Sequence, residues 1–169
     1  MPQPILYVFS GLPGVGKSTI AKALAARTGA IWLRIDSIEK GIEDGELGIT
    51  DLKGAGYWAA QNVAHDNLAF GHSIVADAVN PFALTRDSWA DISQETGALL
   101  CEIEVYCPDK NVHRARVEAR TVSNNWAAVE ARRFDPWPRP VLRLNSEELR
   151  VDEAVSAILK AVKGEAAPV

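Results

Sequence analysis

The chain has 169 residues, 47% of them apolar and 24% charged, with 18 Lys and Arg against 22 Asp and Glu for a formal net charge of -4. These figures suit one soluble domain and exclude disorder and fibrous repeats. At this size about 68–70% of the unfolded surface is buried on folding, so the core needs neither disulfides nor a metal. The mild acidity argues against attraction of the whole surface to nucleic acid or to an anionic membrane.

Along the chain, Met1-Pro2-Gln3-Pro4 leads into an apolar stretch of only Ile5 to Phe9, too short for an export signal. No run reaches the about 18 apolar residues of a membrane span, so a cytoplasmic location is expected. Residues 5–10 are a continuous apolar run ending at Gly11, which predicts a strand buried on both faces of a parallel sheet. A helix is predicted over 18–27 and a strand over 31–35, ending at Asp36. Further strands are predicted over 73–79, 99–106 and 141–144, with helices over 52–70, 82–95, 109–121 and 126–134. In the last helix Leu149, Val151, Val155, Ile158, Leu159 and Val162 make an apolar stripe, and Asn145 to Glu148 matches a capping pattern. Five strands alternating with helices predict a three-layer α/β fold, one domain over residues 1–164 with a tail over 165–169. Cys101 and Cys107 fall about 20 Å apart along one strand-like segment, too far for a mutual disulfide.

Gly11-Leu12-Pro13-Gly14-Val15-Gly16-Lys17-Ser18 matches G-x-x-x-x-G-K-[ST] at every fixed position. Average residue frequencies give such a match in under about 1% of chains this long, and this one lies between a predicted strand and a predicted helix. Glycines let backbone N–H groups turn inward around phosphate oxygens, and the helix start adds its positive dipole end. The expected nucleotide contacts are Gly11, Pro13, Gly14, Val15, Gly16, Lys17, Ser18 and Thr19. Lys17 would reach the β- and γ-phosphates and Ser18 would ligate Mg2+. The context disfavours the alternative, a glycine-rich turn that binds nothing.

A guanine-nucleotide switch would carry N-K-x-D, which is absent from the sequence. Asp51-Leu52-Lys53-Gly54 matches D-x-x-G but comes after a polar, glycine-rich stretch rather than ending an apolar strand. A motor-type ATPase pairs its strand-end aspartate with a glutamate that activates water, whereas Asp77 is followed by Ala78. That suits phosphoryl transfer to a bound acceptor better than sustained hydrolysis.

On these residues the chain resembles the small phosphate-loop kinases, the group that includes adenylate, shikimate, gluconate and adenylylsulfate kinases, chloramphenicol phosphotransferase and the polynucleotide kinase domain. Ile35-Asp36-Ser37-Ile38 is similar to the strand-end aspartate segment of chloramphenicol phosphotransferase and polynucleotide-kinase-like enzymes. Arg116-x-x-x-Arg120 is similar to the arginine pair that opens the lid in adenylate-kinase-like folds. The resemblance covers residues 5–144. It implies a five-stranded parallel sheet ordered 2-3-1-4-5, a short helical lid over about residues 110–139, and an ATP- and Mg2+-dependent kinase acting on a hydroxyl of a small molecule. It also implies that Arg116 stacks on the base, that Arg120 reaches the phosphates, and that Arg132 or Arg133 stabilises charge on the transferring group.

Asp36, expected at the carboxyl edge of the sheet, would accept or orient the acceptor's hydroxyl proton, although Asp36-Ser37-Ile38-Glu39 also matches a helix cap. Asp77 would hold Mg2+ through water, with a plain strand-end cap as the alternative. Trp58 and Gln61 would offer an acceptor pocket one flat apolar wall and one polar contact, against core packing of the aromatic. Asn80, ahead of Pro81, either touches substrate or turns the chain; His65 is expected to be structural. Residues 110–143 hold eight basic and three acidic side chains, so positive charge gathers where phosphates are expected. Glu39, Glu43, Asp44 and Glu46 make residues 38–51 a poor surface for a phosphodiester backbone. Two other readings remain beside the small-molecule kinase: a nucleotide-binding regulator with incidental ATPase activity, and a polynucleotide 5′-hydroxyl kinase.

Overall fold

A run of apolar residues with no polar alternation can only be satisfied between two covering layers, and this is where β1 (Ile5–Ser10) lies. In the computed structural model, which describes residues 2–45, 49, 51–52, 54–119 and 125–164, it is followed by α1 (Lys17–Thr28), β2 (Ile31–Arg34), α2 (Ile35–Glu43), α3 (Ala55–Ala69) and β3 (Ile74–Asp77). The chain continues through α4 (Ala83–Thr96), β4 (Leu99–Tyr106), α5 (Lys110–Glu118), α6 (Trp126–Glu130), β5 (Leu142–Asn145) and α7 (Val151–Val162). The strands form one five-stranded sheet ordered β2-β3-β1-β4-β5, with every pairing parallel, as the resemblance implied.

The sheet divides the core by strand periodicity. Tyr7, Phe9, Val75, Ile103, Val105 and Leu144 pack against α1 and α7 on one face. Leu6, Val8, Ile74 and Ala76 pack on the other against Ile35 of α2, Ala60, Ala64 and Leu68 of α3, and Trp89 of α4. The register Phe9↔Asp77 and Arg34↔Asp77 lines up the carboxyl ends of β1, β3 and β2, which is the edge where open α/β sheets bind ligands.

Several predicted boundaries move. The strand expected over 31–35 stops at Arg34 and passes directly into α2, which starts at Ile35, ahead of the cap that Asp36 to Glu39 offered. The helix expected over 126–134 is only Trp126–Glu130, and Pro136, Pro138 and Pro140 keep the chain after it from resuming one. The helix expected from residue 52 begins at Ala55, after Gly54 in a left-handed conformation with φ 82°. Asn145 does not cap the last helix: its side chain accepts from the Glu147 N–H at 3.0 Å and closes a turn after β5. The start of α7 is satisfied instead by Glu153, whose carboxylate accepts from the Arg150 N–H at 2.8 Å.

The strand predicted over 73–79 ends at Asp77, and the turn after it is a knot of internal hydrogen bonds rather than a ligand contact. Asn80 is fully buried with φ 44°, a value that asparagine tolerates better than most residues. Its carboxamide donates to the Phe9 carbonyl at 2.8 Å and accepts from Trp89 Nε1 at 3.1 Å. Its N–H donates to the Tyr57 hydroxyl at 3.1 Å, and its carbonyl accepts from Arg86 Nε at 2.9 Å. The expected substrate contact of Asn80 is therefore corrected to the turn role, since both ends of its side chain are used internally. Arg86, also fully buried, lies against the Phe134 and Trp137 rings at 4.7 and 4.2 Å and donates to the Pro136 carbonyl at 3.3 Å. Asp135 adds a bond from its N–H to the Pro81 carbonyl at 2.7 Å. The segment returning from α6 is thus fastened to the turn after β3.

Replacing Asn80 by Ala orphans a buried carbonyl and a buried indole N–H. We expect the unfolding free energy from urea titration to fall by about 2–4 kcal/mol.

Candidate nucleotide and acceptor site

The loop between β1 and α1 takes its shape from three glycines in left-handed backbone. Gly11, Gly14 and Gly16 have φ of 138°, 87° and 99°. A Cβ on Gly11 would come within 2.2 Å of the Val105 carbonyl oxygen, and one on Gly14 within 2.5 Å of Val117 Cγ2. Conformation and space therefore both demand glycine at these two positions. Lys17 opens α1, is buried, and donates from Nζ to the Leu12 carbonyl at 2.9 Å, across the curl of the loop. No side chain caps α1, because Gly16 occupies the N-cap; its first N–H groups and dipole end suit an anion.

Beneath the loop Asp77 is buried at 2% exposure. It accepts hydrogen bonds from Ser18 and from Trp32 Nε1, the latter at 3.3 Å, with Arg34 Nε 4.0 Å away. Burial pushes its pKa above the usual carboxylate value, and Ser18, Lys17, Trp32 and Arg34 oppose that rise. The Ser18 hydroxyl and Asp77 carboxylate thus meet as an oxygen pair of the kind a hard divalent cation takes, so the residues present fit the Mg2+ that the fold implies. Trp32 and Arg34 were missed from the sequence. The available signal was their spacing of two on a strand ending beside Asp77, which puts both on one face.

Asp36 stands in the first turn of α2, not at a strand end, and its side chain is 62% exposed. Arg34 Nη2 holds it at 3.1 Å, so one guanidinium spans Asp36 and Asp77. The alternative capping role is not realised, because Arg34 is the N-cap of α2 and no side chain caps that helix. One turn on, Glu39 crosses the bare backbone of Gly56, where a Cβ would lie 2.3 Å from its Cγ. Burial, then Asp36 and Glu43, raise the Glu39 pKa, and Arg132 opposes them.

Trp58 is 63% exposed whereas Gln61 is buried, so α3 does not present them together as one pocket wall. Core packing of Trp58 is not realised either; Tyr57 packs against the core in its place. Arg116 donates to Ser146 Oγ at 2.9 Å and to the Ser146 carbonyl at 3.2 Å. It borders a cleft of about 390 Å3 shared with Gly16, Thr19, Ile20 and Leu149, directly beside the loop. Ser146, which fixes the guanidinium, is a further residue that sequence reasoning missed. Arg120 and residues 121–124 lie outside the described residues, as do Glu46, Lys53 and the tail over 165–169.

Arg132 and Arg133 diverge. Arg133 pairs with Asp135 at 2.7 Å and lies over the Phe82 ring at 5.7 Å, whereas Arg132 acts on Glu39 and Tyr57. The concentration of positive charge expected over 110–143 is largely answered by carboxylates. Arg114 pairs with Glu118 at 2.7 Å, Arg139 with Glu102 and Asp87 at 2.6 and 2.8 Å, and Arg143 with Glu104 at 2.8 Å. Among the described residues no group of three or more His, Cys, Asp or Glu is arranged to hold a metal ion, and no helix is long and apolar enough to cross a membrane.

Sheet order, glycine loop and buried aspartate define a phosphate-loop nucleotide-binding protein with the kinase-like fold. The chain belongs to the AAA_33 family, described as an AAA domain, whose model matches residues 6–139. Its structure is similar to that of the Mycobacterium tuberculosis APS kinase in complex with AMPPNP and APS, at TM-score 0.75 and 20% identity over 96% of this chain and 99% of that one. It is also similar to a gluconokinase from Sinorhizobium meliloti 1021, at TM-score 0.66 and 18% identity over 97% and 94%. A Chloroflexus aurantiacus protein provisionally named a kinase superposes at TM-score 0.77 and 19% identity over 98% and 100%. At these identities the likeness is one of fold. No curated protein matches the chain in sequence.

Because burial raises the Asp77 pKa, the folded chain holds that proton more tightly than the unfolded one. The group therefore favours folding below its ordinary value of 3.8, and that contribution is lost as pH rises through the raised folded value. Asp77→Asn should accordingly raise the thermal midpoint of the nucleotide-free protein at pH 7, measured by calorimetry, and the gain should shrink as the pH is lowered toward 3.8.

Proposed function

We propose that the protein is a kinase that uses Mg2+ and ATP to transfer a γ-phosphoryl group to a hydroxyl of a small-molecule acceptor. The observation that carries this reading is the pair of carboxylates spanned by Arg34: Asp77 buried against Ser18 and Lys17, and Asp36 exposed to solvent. A nucleotide-binding module needs only the first. The second is exposed and available to orient an incoming hydroxyl.

The loop's N–H groups and the start of α1 bind the phosphates, and Lys17 supplies the nearest positive charge. Ser18, and Asp77 through water, would hold Mg2+, which when bound neutralises charge across the β- and γ-phosphates. Arg116, braced on Ser146, faces the base beside the cleft. Asp36 accepts or directs the acceptor's proton, and Arg34 fixes the rotamer from which it does so. Of the two arginines after α6, Arg132 is assigned to the transferring group, since Arg133 is occupied by Asp135 and Phe82. The carboxylates of α2 support a small acceptor over a polynucleotide. Asp36, Glu39 and Glu43 recur at helical spacing on one face, and a phosphodiester backbone is repelled there.

The reading is tested by screening hydroxylated metabolites, nucleosides, antibiotics and oligonucleotides for acceptor-dependent ADP release, with Lys17→Ala as the blank. For any acceptor found, Asp36→Asn should lower turnover by at least about 100-fold, the usual worth of a positioned base. AMPPNP affinity should stay within about twofold, because Asp36 lies outside the loop. Turnover that survives Asp36→Asn removes this residue from the mechanism.

A further inference from the structure

Neither the motif nor the acceptor site uses His113, yet it is a buried histidine on α5 in contact with the phosphate loop 100 residues earlier. Its Nε2 lies 2.8 Å from the Pro13 carbonyl oxygen. A carbonyl only accepts, so Nε2 carries the hydrogen and donates it. The ring is held edge-on to Trp126 of α6, with centroids 5.0 Å apart and planes at 82°. Val117, one helical turn further along the same face of α5, closes over Gly14, where a Cβ would also come within 3.5 Å of the His113 ring. The helix itself is anchored. Asp109 caps it by accepting from the Asn111 and Val112 N–H groups at 2.7 and 3.3 Å, and the Asp109 N–H donates to Glu147 at 2.7 Å. The apex of the loop therefore rests on a braced helix.

We propose that His113 is a positioning residue for nucleotide binding, holding the Pro13–Gly14 peptide in the orientation that phosphate requires. In a trans peptide the carbonyl and the N–H of the next residue point in opposite directions across one rigid plane. Fixing the Pro13 carbonyl toward α5 therefore turns the Gly14 N–H away from α5. Pro13 has no N–H of its own, and Gly14 is the residue freest to flip, so this peptide is the weak point of the cradle. Flipped, it presents a carbonyl oxygen to an anion. Without the hydrogen bond the loop spends part of its time in the flipped form, and apparent affinity falls by the fraction that remains competent.

The inference rests on the loop binding a nucleotide, and not on the identity or existence of an acceptor. The test is calorimetric titration of the full chain with AMPPNP and Mg2+, alongside thermal melts. His113→Phe keeps the ring volume and the edge contact with Trp126 but removes the donor; His113→Gln places an amide N–H where Nε2 was but gives up the ring. We expect His113→Phe to weaken AMPPNP binding about fivefold to tenfold, the worth of one lost hydrogen bond, and His113→Gln to stay within about twofold even where it melts lower. A residue that serves packing alone gives the reverse order. If the phenylalanine variant binds like the parent, or both variants lose affinity equally, the proposal is overturned. Should His113→Phe not fold, His113→Asn, whose amide reaches only the Nδ1 position, takes its place against His113→Gln with the same expectation. A parent that binds AMPPNP but phosphorylates no acceptor overturns the kinase reading and leaves this one standing; a parent that does not bind AMPPNP overturns both.

Discussion

A carboxylate buried at the end of a central strand has to be answered by its neighbours, and the answer to Asp77 organises the active edge of this protein. Ionised and dry, it is costly, so β2 sends Trp32 and Arg34 to it along one face and α1 sends Ser18. The parallel register makes this possible by placing Arg34 beside Asp77 and Phe9 on the other side. The carboxylate is only partly compensated, and its pKa stays raised. A carboxylate left incompletely neutralised is one that a neighbouring cation would stabilise.

The other half of the edge is built from the turn that succeeds the same strand. Asn80, in a conformation few non-glycine residues adopt, gathers the ends of β1, α3 and α4 into one buried set of hydrogen bonds. Arg86 extends that set to Phe134, Pro136 and Trp137, and so the segment carrying Arg132 and Arg133 is tied to the strand that carries Asp77. The sides proposed for metal and for acceptor thus share one origin. A hydroxyl and a phosphate have to be placed to better than about 1 Å to react, and a common origin for the groups that hold them is a direct way to achieve it.

What could be read from the sequence was what is local. The glycine loop declares itself because left-handed backbone and close approach admit no other residue, and the apolar runs declare the sheet. Helix α2 is legible only in part: Ile35, Ile38 and Ile42 recur at helical spacing, but the apolar residues from Ile31 to Ile35 read equally as a strand that ends at Asp36. The roles of Asn80 and Arg86 were not legible, because their partners lie up to 71 residues away in the chain. The charge count over 110–143 misled for the same reason. Glu102 and Glu104, which answer Arg139 and Arg143, belong to β4, outside the segment counted.

The central claim is that this edge hands a phosphoryl group to a hydroxyl and not to water. It is tested most directly by tracking Mg2+-ATP by 31P NMR in the presence of the full chain and a mixture of candidate hydroxyl acceptors. The account predicts that as the γ-phosphate signal declines, ADP and a phosphate monoester appear in equal amounts with little inorganic phosphate. Loss of the γ-phosphate to inorganic phosphate alone, at a rate the acceptor mixture does not change, would contradict it.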